Sequence, residues 1–218
     1  MPDLFTDQDI LNAPGEPERL GPRAFLFRQY ALPVAGDLLA GIVAVSTTSP
    51  FRQMLTPGGR KMSAAMTGCG DISWVTDRRG YRYSEVDPET GKPWPAMPQS
   101  FRDLAREVAG KAGFGGFEPD VCLINRYLPG ARMGLHQDKD EQDLQWPVVS
   151  VSLGLAAIFL WGGLKRGGSP ARLWLEHGDV LVWGGEDRLR YHGIAPVPDD
   201  RCEGTGDVRF NLTFRRAR

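Results

Sequence analysis

The sequence has few of the residues that build disulfide frameworks, zinc sites or membrane spans. Its three cysteines are odd in number and lack Cys-x-x-Cys spacing, which argues against a disulfide framework and a zinc knuckle. The longest apolar stretch, residues 148–161, is interrupted by serine and glycine and is too short to cross a bilayer. The first ten residues lack the basic and apolar regions of a signal peptide. These absences predict a cytoplasmic protein with reduced thiols and no membrane association.

The chain also lacks a charge excess of either sign. Its net charge is −1, so the overall balance does not indicate nucleic acid as a partner. The hydrophobic content of 41% and the charged content of 24% are ordinary for a globular protein. A chain of 218 residues can bury one sizeable core. We therefore expect a single domain over residues 1–218, and a monomer by default.

Histidine is scarce as well, and two of the three histidines stand in a suggestive pattern. His136 and Asp138 are separated by one residue, and His192 follows further along the chain. Two histidines and one carboxylate form the facial triad of non-haem Fe(II) sites. Polar residues at the exposed end of a strand would give the same pattern. The third histidine, His177, precedes a Gly-Asp turn, so we expect it to hydrogen-bond to backbone there.

A strand predicted near the C-terminus adds a second chemical signal. Side chains alternate between the faces of a strand, so Arg209, Asn211, Thr213 and Arg215 share one face. Two guanidinium groups leaning toward each other could hold the ends of a short dicarboxylate. A solvated strand face is the alternative for this strand alone. Together with the metal triad, the arginine pair indicates an iron enzyme whose co-substrate is 2-oxoglutarate.

The secondary-structure pattern is mainly β with flanking helices. Residues 1–32 are rich in Pro, Gly and acidic residues and predict an irregular arm. Apolar stripes predict helices over 33–46, with Leu38, Leu39, Ile42 and Val43 on the buried side, and over 98–112. Strands are expected at 121–127, 148–155, 157–161, 172–176, 180–183 and 208–214. Six strands without helical spacers favour an antiparallel sandwich or jelly roll with helices on one outer face.

Residues 50–84 differ from the rest of the chain. Six basic and two acidic residues give this segment a local charge of +4, and aromatic residues alternate with these charges. Basic residues that follow phosphates and aromatics that stack on bases form a single-strand binding platform. The alternative is a basic surface hairpin with its aromatics in the core. Trp161 and Trp183 lie in apolar strands and are predicted to be core residues.

Ten sequence blocks between Ser49 and Arg215 resemble the AlkB family of Fe(II)/2-oxoglutarate-dependent dioxygenases. They are SPFRQMLTPGG, KPWPAMPQSF, CLINRYLPGA, LHQDKDE, VSVSLGL, GGLKR, LEHGDV, VWGGE, YHGI and RFNLTFR. The resemblance implies a double-stranded β-helix, or jelly roll, with N-terminal helices and a nucleotide-recognition lid. It divides the chain into an arm and helix (1–49), the lid (50–95) and the catalytic core (96–218).

The resemblance also implies roles for individual residues. The catalytic Fe(II) would be held by His136, Asp138 and His192. Arg209, helped by Tyr127 and Asn211, would hold the distal carboxylate of 2-oxoglutarate, and Arg215 and Asn125 would serve its metal-chelating end. Substrate would be bound by Trp74, Tyr81, Met66, Asp140 and Arg166. Of these, Trp74 would stack on the base against His136, Tyr81 would hold phosphate with nearby basic side chains, and Asp140 would face the polar edge of the base.

The function implied by the resemblance is oxidative demethylation of alkylated bases. The enzyme would use Fe(II), 2-oxoglutarate and O2 to hydroxylate an N-alkyl group of the 1-methyladenine or 3-methylcytosine type and release an aldehyde. The partner would be DNA, preferably single-stranded, or RNA. A 2-oxoglutarate-dependent hydroxylase of a protein or small molecule is the alternative; it would share the iron and arginine residues but would have no use for Trp74 or the basic segment. A non-catalytic jelly-roll binding module is a third hypothesis.

Overall fold

Residues 16–218, the part of the chain that the computed structural model describes, form thirteen strands in three antiparallel sheets. The strands are β1 (Glu18–Gly21), β2 (Ala24–Phe27), β3 (Ala65–Gly70), β4 (Ser73–Asp77), β5 (Gly80–Ser84), β6 (Val121–Tyr127), β7 (Met133–His136), β8 (Val148–Gly154), β9 (Ala157–Trp161), β10 (Ala171–Leu175), β11 (Val180–Trp183), β12 (His192–Ile194) and β13 (Arg209–Arg215). The major sheet has the order β1-β2-β11-β8-β13-β6-β3, and the minor sheet has the order β10-β9-β12-β7. Strands β4 and β5 form a separate hairpin.

The major and minor sheets enclose a shared apolar interior. Its buried residues come from both sheets and include Leu26, Val148, Leu181 and Trp183 of the major sheet and Phe159 of the minor sheet. Antiparallel sheets that pack face to face in this way form the jelly roll predicted from the sequence. The fold class is therefore confirmed.

The predicted irregular arm is wrong for residues 16–32. Strands β1 and β2 pair with each other, and β2 extends the major sheet by pairing with β11. The Pro- and Gly-rich composition concealed two four-residue strands whose buried side chains, Ala24, Leu26 and Phe27, enter the core. Residues 1–15 of the predicted arm lie outside the described residues.

Two helices cover the outer face of the major sheet. They are α1 (Ala35–Thr48), preceded by a 3₁₀ turn over Leu32–Val34, and α2 (Gln99–Lys111). Both lie close to their predicted positions. The predicted buried stripe of α1 needs one correction, because Val43 is 64% exposed. The buried stripe follows Leu38, Ile42 and Val45, and at about 100° per residue Val43 rotates away from it.

The contact between the helices and the sheet is tight around Phe101. This ring is fully buried and meets Phe214 of β13 edge to face at 6.0 Å. A Cβ atom at Gly41 of α1 would lie 2.5 Å from Phe101 Cε1, so the glycine permits the close approach of the two helices.

We expect Phe101→Ala to lower the free energy of unfolding by about 3–5 kcal/mol, because it removes a large buried ring and leaves a cavity. Urea denaturation monitored by circular dichroism measures this change. The matched control is Val43→Ala on the exposed side of α1, which should change stability by no more than about 0.5 kcal/mol. Equal effects of the two substitutions would contradict this account of the packing.

The segment from residue 50 to residue 95 has two structural parts. Strand β3 is the edge strand of the major sheet and pairs with β6, whereas the β4–β5 hairpin stands apart. The base of the segment is fixed by the buried Asp87 carboxylate, which accepts hydrogen bonds from Ser49 at 2.6 Å and from Arg52 at 2.8 Å. Across residues 16–218, no helix combines the length and the apolar character that crossing a membrane requires.

Candidate active site

The three predicted metal ligands meet at one end of the minor sheet. His136 closes β7 and is the cross-strand partner of His192, which opens β12. Asp138 follows two residues after His136. Its carboxylate oxygens lie 3.8 Å from His136 Nε2 and 3.6 Å from His192 Nε2, and the three ligand atoms are all within 4.8 Å of one another. One ion can therefore contact all three side chains.

Backbone carbonyls orient both histidines for metal binding. His136 Nδ1 lies 2.9 Å from the Gly134 carbonyl, and His192 Nδ1 lies 3.0 Å from the Arg190 carbonyl. A carbonyl only accepts, so each Nδ1 carries a proton, and Nε2 is the ring nitrogen that faces the metal position. Burial, assisted by the neighbouring His136, lowers the pKa of His192 to about 4. His192 is consequently neutral at neutral pH, the form that ligates metals.

Asp138 is held as a carboxylate despite its burial. Burial alone would raise its pKa, but Arg215 and the two histidines hold it well below the usual range. Arg215 Nη2 lies 2.7 Å from Asp138 Oδ2, and Arg215 Nε donates to the same oxygen at 3.0 Å. The third ligand is thus ionised and ready to bind a cation.

Both arginines of β13 are buried, which excludes the solvated strand face considered above. Arg209 is fully buried; its Nη1 donates to the Leu155 carbonyl at 3.0 Å and its Nη2 to Ser152 Oγ at 2.8 Å. Burial lowers the pKa of Arg209 to about 10, so the group is still a cation at neutral pH. Its Nε has no hydrogen-bond partner within the described protein. A buried cation with an unused donor suits an anionic ligand.

Polar residues of β6, β8 and β13 form a connected strip between the two arginines. Thr213 donates to Asn211 Oδ1 at 2.8 Å, and Asn211 Nδ2 donates to Ser150 Oγ at 2.8 Å. Asn125 Oδ1 is buried and has no partner among the described residues. Tyr127 is 2% exposed, and burial raises the pKa of its hydroxyl, which therefore stays a potential donor.

A cavity of about 550 Å³ joins these groups. The predicted site residues that line it are Met66, Trp74, Tyr81, Asn125, Tyr127, His136, Asp138, Asp140, Arg166, His192, Asn211 and Arg215. Arg209 is the predicted site residue that is not part of the cavity wall; it is buried beside Tyr127, which interacts with its charge. The volume is within the usual range for small-molecule sites, which is roughly 300–1,000 Å³.

The hairpin contributes two aromatic rings to the mouth of this cavity. Trp74 of β4 and Tyr81 of β5 stack with ring centroids 5.5 Å apart and planes 17° apart. Trp74 Nε1 donates to Asp140 Oδ2 at 2.9 Å, so the carboxylate fixes the indole. Arg166, which also lines the cavity, lies over the Tyr191 ring at 5.9 Å.

Comparisons with known proteins agree with this geometry. The family model for the 2OG-Fe(II) oxygenase superfamily matches residues 34–215. The chain is 56% identical over 217 residues to the alpha-ketoglutarate-dependent dioxygenase AlkB of Escherichia coli (strain K12), covering 100% of this chain and 98% of that protein. The chain belongs to the AlkB family of 2OG-Fe(II) oxygenases. It is therefore an Fe(II)/2-oxoglutarate-dependent dioxygenase, and the requirements of the family are Fe(II), 2-oxoglutarate and O2.

More distant members of the AlkB family match over part of their length. The nucleic acid dioxygenase ALKBH1 of Mus musculus is 34% identical over 135 residues, which cover 60% of this chain and 34% of that protein. The solved structure of OsALKBH1 superposes with a TM-score of 0.77 at 27% identity, covering 92% of this chain and 100% of that chain.

The donor set fits the metal and the co-substrate of the AlkB family. Two imidazoles and a carboxylate match the facial triad for Fe(II). The dianionic 2-oxoglutarate requires cations, and the site supplies the buried Arg209 and Arg215, with the donor Arg209 Nε still unpartnered among the described residues. When bound, Fe(II) and 2-oxoglutarate activate O2 for hydroxylation of a substrate carbon.

The predictions made for the third histidine and for two buried tryptophans are confirmed. His177 Nδ1 accepts a hydrogen bond from the Gly154 amide at 2.9 Å, which confirms its prediction as a turn residue. Trp161 and Trp183 are buried, as predicted for core residues. Trp183 has a second position that the sequence did not reveal, because its ring lies 5.0 Å from His192 and lines the cavity.

Sequence reasoning missed the buried partners of the site. Ser152 receives the Arg209 hydrogen bond, and Arg188 and Glu141 form an ion pair at 3.0 Å beside Asp138. Glu141 gave a weak signal, since it follows Asp138 by three residues in the block LHQDKDE. Arg188 gave none, because it lies in a loop fifty residues from the aspartate that it contacts.

Proposed function

We propose that this enzyme oxidatively demethylates N-alkylated bases of the 1-methyladenine and 3-methylcytosine type in DNA, preferably single-stranded, and in RNA. The observation that carries the proposal is the shared cavity, in which the metal ligands and the stacked Trp74 and Tyr81 rings line one volume. In this proposal residues 50–95 serve as the nucleotide-recognition lid and residues 96–218 as the catalytic core. The protein acts as a monomer in the cytoplasm.

The names of several relatives support a nucleic-acid substrate. ALKBH1 of Mus musculus is called a nucleic acid dioxygenase, and ALKBH1C of Arabidopsis thaliana, 34% identical over 174 residues, is called a DNA N(6)-methyladenine demethylase. They align with 60% and 68% of this chain. The basic residues near the cavity mouth, Arg166 among them, are suited to hold phosphate, while Met66 packs against the base.

Electrostatics provides a physical reason for selectivity. Methylation at N1 of adenine or N3 of cytosine makes the base cationic. A cation beside the Trp74 face and the Asp140 carboxylate gains cation–π and Coulomb stabilisation that the unmodified base lacks. Because Asp140 already accepts from Trp74 Nε1, it acts both on the base and on the orientation of the indole.

The protein residues have distinct tasks in the reaction. Arg209, Tyr127 and Asn211 bind the distal carboxylate of 2-oxoglutarate, and Arg215 and Asn125 orient the other end. His136, Asp138 and His192 hold the metal. The buried walls formed by Trp183 and Phe159 keep water from the reacting carbon.

The proposal is tested by formaldehyde release from a methylated oligonucleotide, with and without Fe(II) and 2-oxoglutarate and with His136→Ala as the blank. We expect one aldehyde per restored base, faster on single strands because less stacking and pairing must be broken. Equal rates on duplex and single strands at saturation would contradict the strand preference. Turnover of 2-oxoglutarate without base repair would favour a protein or small-molecule hydroxylase.

Trp74→Ala is expected to slow base repair by about 5- to 150-fold, since stacking of a base on an aromatic ring contributes roughly 1–3 kcal/mol. Turnover of 2-oxoglutarate in the absence of nucleic acid should persist, because the metal and co-substrate residues are unchanged. The measurement compares formaldehyde and succinate release. The matched control is Trp174→Ala, an exposed tryptophan on β10 that does not line the cavity. Equal losses in both variants would contradict a stacking role for Trp74.

A further inference from the structure

A partly buried hydrogen bond attaches the β4–β5 hairpin to the catalytic core. Tyr83 of β5 is the cross-strand partner of Trp74, and its hydroxyl donates to Glu141 Oε1 at 2.6 Å. Burial raises the pKa of Tyr83, so the hydroxyl stays protonated and remains a donor. The aromatic wall of the cavity is therefore linked to Glu141 through one strand pair.

Glu141 is in turn held between two buried guanidinium groups. Its side chain is 1% exposed, and its Oε1 lies 3.3 Å from Arg215 Nε. Its Oε2 lies 3.0 Å from Arg188 Nη2, an ion-pair distance without the alignment of a hydrogen bond. A carboxylate buried this deeply is stable only while its cationic partners are in place.

The same two arginines hold the metal ligand Asp138. Arg215 Nη2 lies 2.7 Å from Asp138 Oδ2, and Arg188 Nη1 donates to the Asp138 carbonyl at 2.6 Å. Two carboxylates and two guanidinium groups thus form a balanced buried cluster. Because Arg215 is shared, a change in its interaction with Glu141 must alter its interaction with Asp138.

We propose that Glu141 is a positioning residue shared by the hairpin and the metal site, so that one carboxylate places both the base-stacking strand pair, through Tyr83, and the metal ligand Asp138, through Arg215. The inference rests on the proposed function, in which the hairpin carries the base-stacking Trp74. Its consequence is that consumption of 2-oxoglutarate and oxidation of the base are kept in step by the Tyr83–Glu141–Arg215 chain.

Tyr83→Phe removes the donor and keeps the ring. We expect amide hydrogen exchange in residues 73–84 to accelerate by about tenfold, because a hydrogen bond to a charged group is lost. We also expect at least a threefold rise in 2-oxoglutarate consumed per formaldehyde released. This rise corresponds to about 0.65 kcal/mol in the free-energy difference between turnover without base oxidation and turnover with it. The affinity for Mn(II), used as a probe of the metal site, should change by less than about twofold, because Arg215 and Asp138 are intact.

The matched control is Tyr30→Phe, which removes a Tyr–Glu hydrogen bond of 2.5 Å to Glu107 outside the cavity. This control should leave the ratio of 2-oxoglutarate to formaldehyde and the exchange of residues 73–84 unchanged. If Tyr83→Phe also leaves the ratio unchanged, the proposal is overturned and Tyr83 has only a structural role.

Glu141→Gln tests the second link with nearly the same shape. The amide can still accept from Tyr83, but Arg215 loses one anion and pairs more strongly with Asp138. We therefore expect about a tenfold loss of Mn(II) affinity, in the range seen when groups that orient metal ligands are changed, and near-normal exchange in residues 73–84. Unchanged Mn(II) affinity would overturn the proposal.

Different measurements test the demethylase activity and the positioning role of Glu141. If the wild-type enzyme consumes 2-oxoglutarate but releases no formaldehyde from methylated oligonucleotides, the proposed function fails. The positioning role is then decided by the Mn(II) affinity of Glu141→Gln, where a tenfold loss supports it and an unchanged value overturns it.

Discussion

Asp138→Ala is expected to abolish metal binding and to reduce formaldehyde release to the level of the enzyme-free blank. The substitution removes the only anionic ligand of the triad and leaves Arg215 and Arg188 beside it. The remaining site is two imidazoles next to the buried guanidinium groups, whose positive charge repels a divalent cation. The free energy of unfolding should also fall by about 3–5 kcal/mol, because removing the carboxylate leaves the buried Arg215 charge without its closest partner.

Thermal unfolding with and without Mn(II) separates these two effects. A ligand that binds only the native state at about 100 times its Kd stabilises it by about 2.7 kcal/mol. Wild-type protein should show this increase, whereas Asp138→Ala should unfold at the same temperature with and without the metal. The control is His177→Ala, which removes the histidine that bonds the Gly154 amide and should keep the increase. A metal-dependent increase in Asp138→Ala would contradict the assignment of the triad.

The elements that the sequence predicted best are those with a complete local pattern. Strands β6, β9 and β11 have the bounds predicted for them, since each is a mainly apolar run close to turn residues. The stripe of α2 was equally clear. Strands β7 and β12 have only four and three residues, too few for an alternation to be visible. The β1–β2 hairpin was missed because its pairing partner, β11, is remote in sequence.

The candidate site likewise has a part that the sequence predicted and a part that it did not. Its ligand set could be predicted because His136 and Asp138 are local, and because His192 is one of only two other histidines in the chain. The ion-pair partners of Asp138 could not be predicted. They lie on segments remote in sequence, and which of these a long side chain reaches depends on the tertiary fold. Charge composition likewise indicated a basic segment at 50–84 but not the Tyr83–Glu141 hydrogen bond that attaches it.

Arg209→Lys is expected to weaken 2-oxoglutarate binding by about 30-fold or more, since truncating one partner of a buried charge pair costs roughly 2–5 kcal/mol. The planar guanidinium places Nη1 on the Leu155 carbonyl and Nη2 on Ser152 Oγ and leaves Nε free for the ligand. A single ammonium cannot make these contacts together.

The lysine variant should also acquire a pH dependence that the wild type lacks. Arg209, whose pKa burial lowers to about 10, stays charged through the neutral range. The same burial lowers the pKa of a lysine toward neutrality, so its charge is present below that pKa and is lost above it. The groups that act on this position are Tyr127, whose pKa burial raises, and Asp179, whose negative charge favours the cation. Affinity of the variant for 2-oxoglutarate should therefore fall between about pH 6 and about pH 9.

Calorimetric titration of 2-oxoglutarate into the Mn(II)-loaded proteins measures both effects without turnover. The matched control is Arg23→Lys, an arginine that lies over the Phe114 ring at 4.3 Å and does not line the cavity. It should bind 2-oxoglutarate within about twofold of wild type at each pH, because no charge near the ligand changes. An Arg209→Lys variant with wild-type affinity would show that the buried cation of β13 does not hold the co-substrate, and the carboxylate would then have to be held by Arg215 and the polar strip of Asn125 and Asn211 alone.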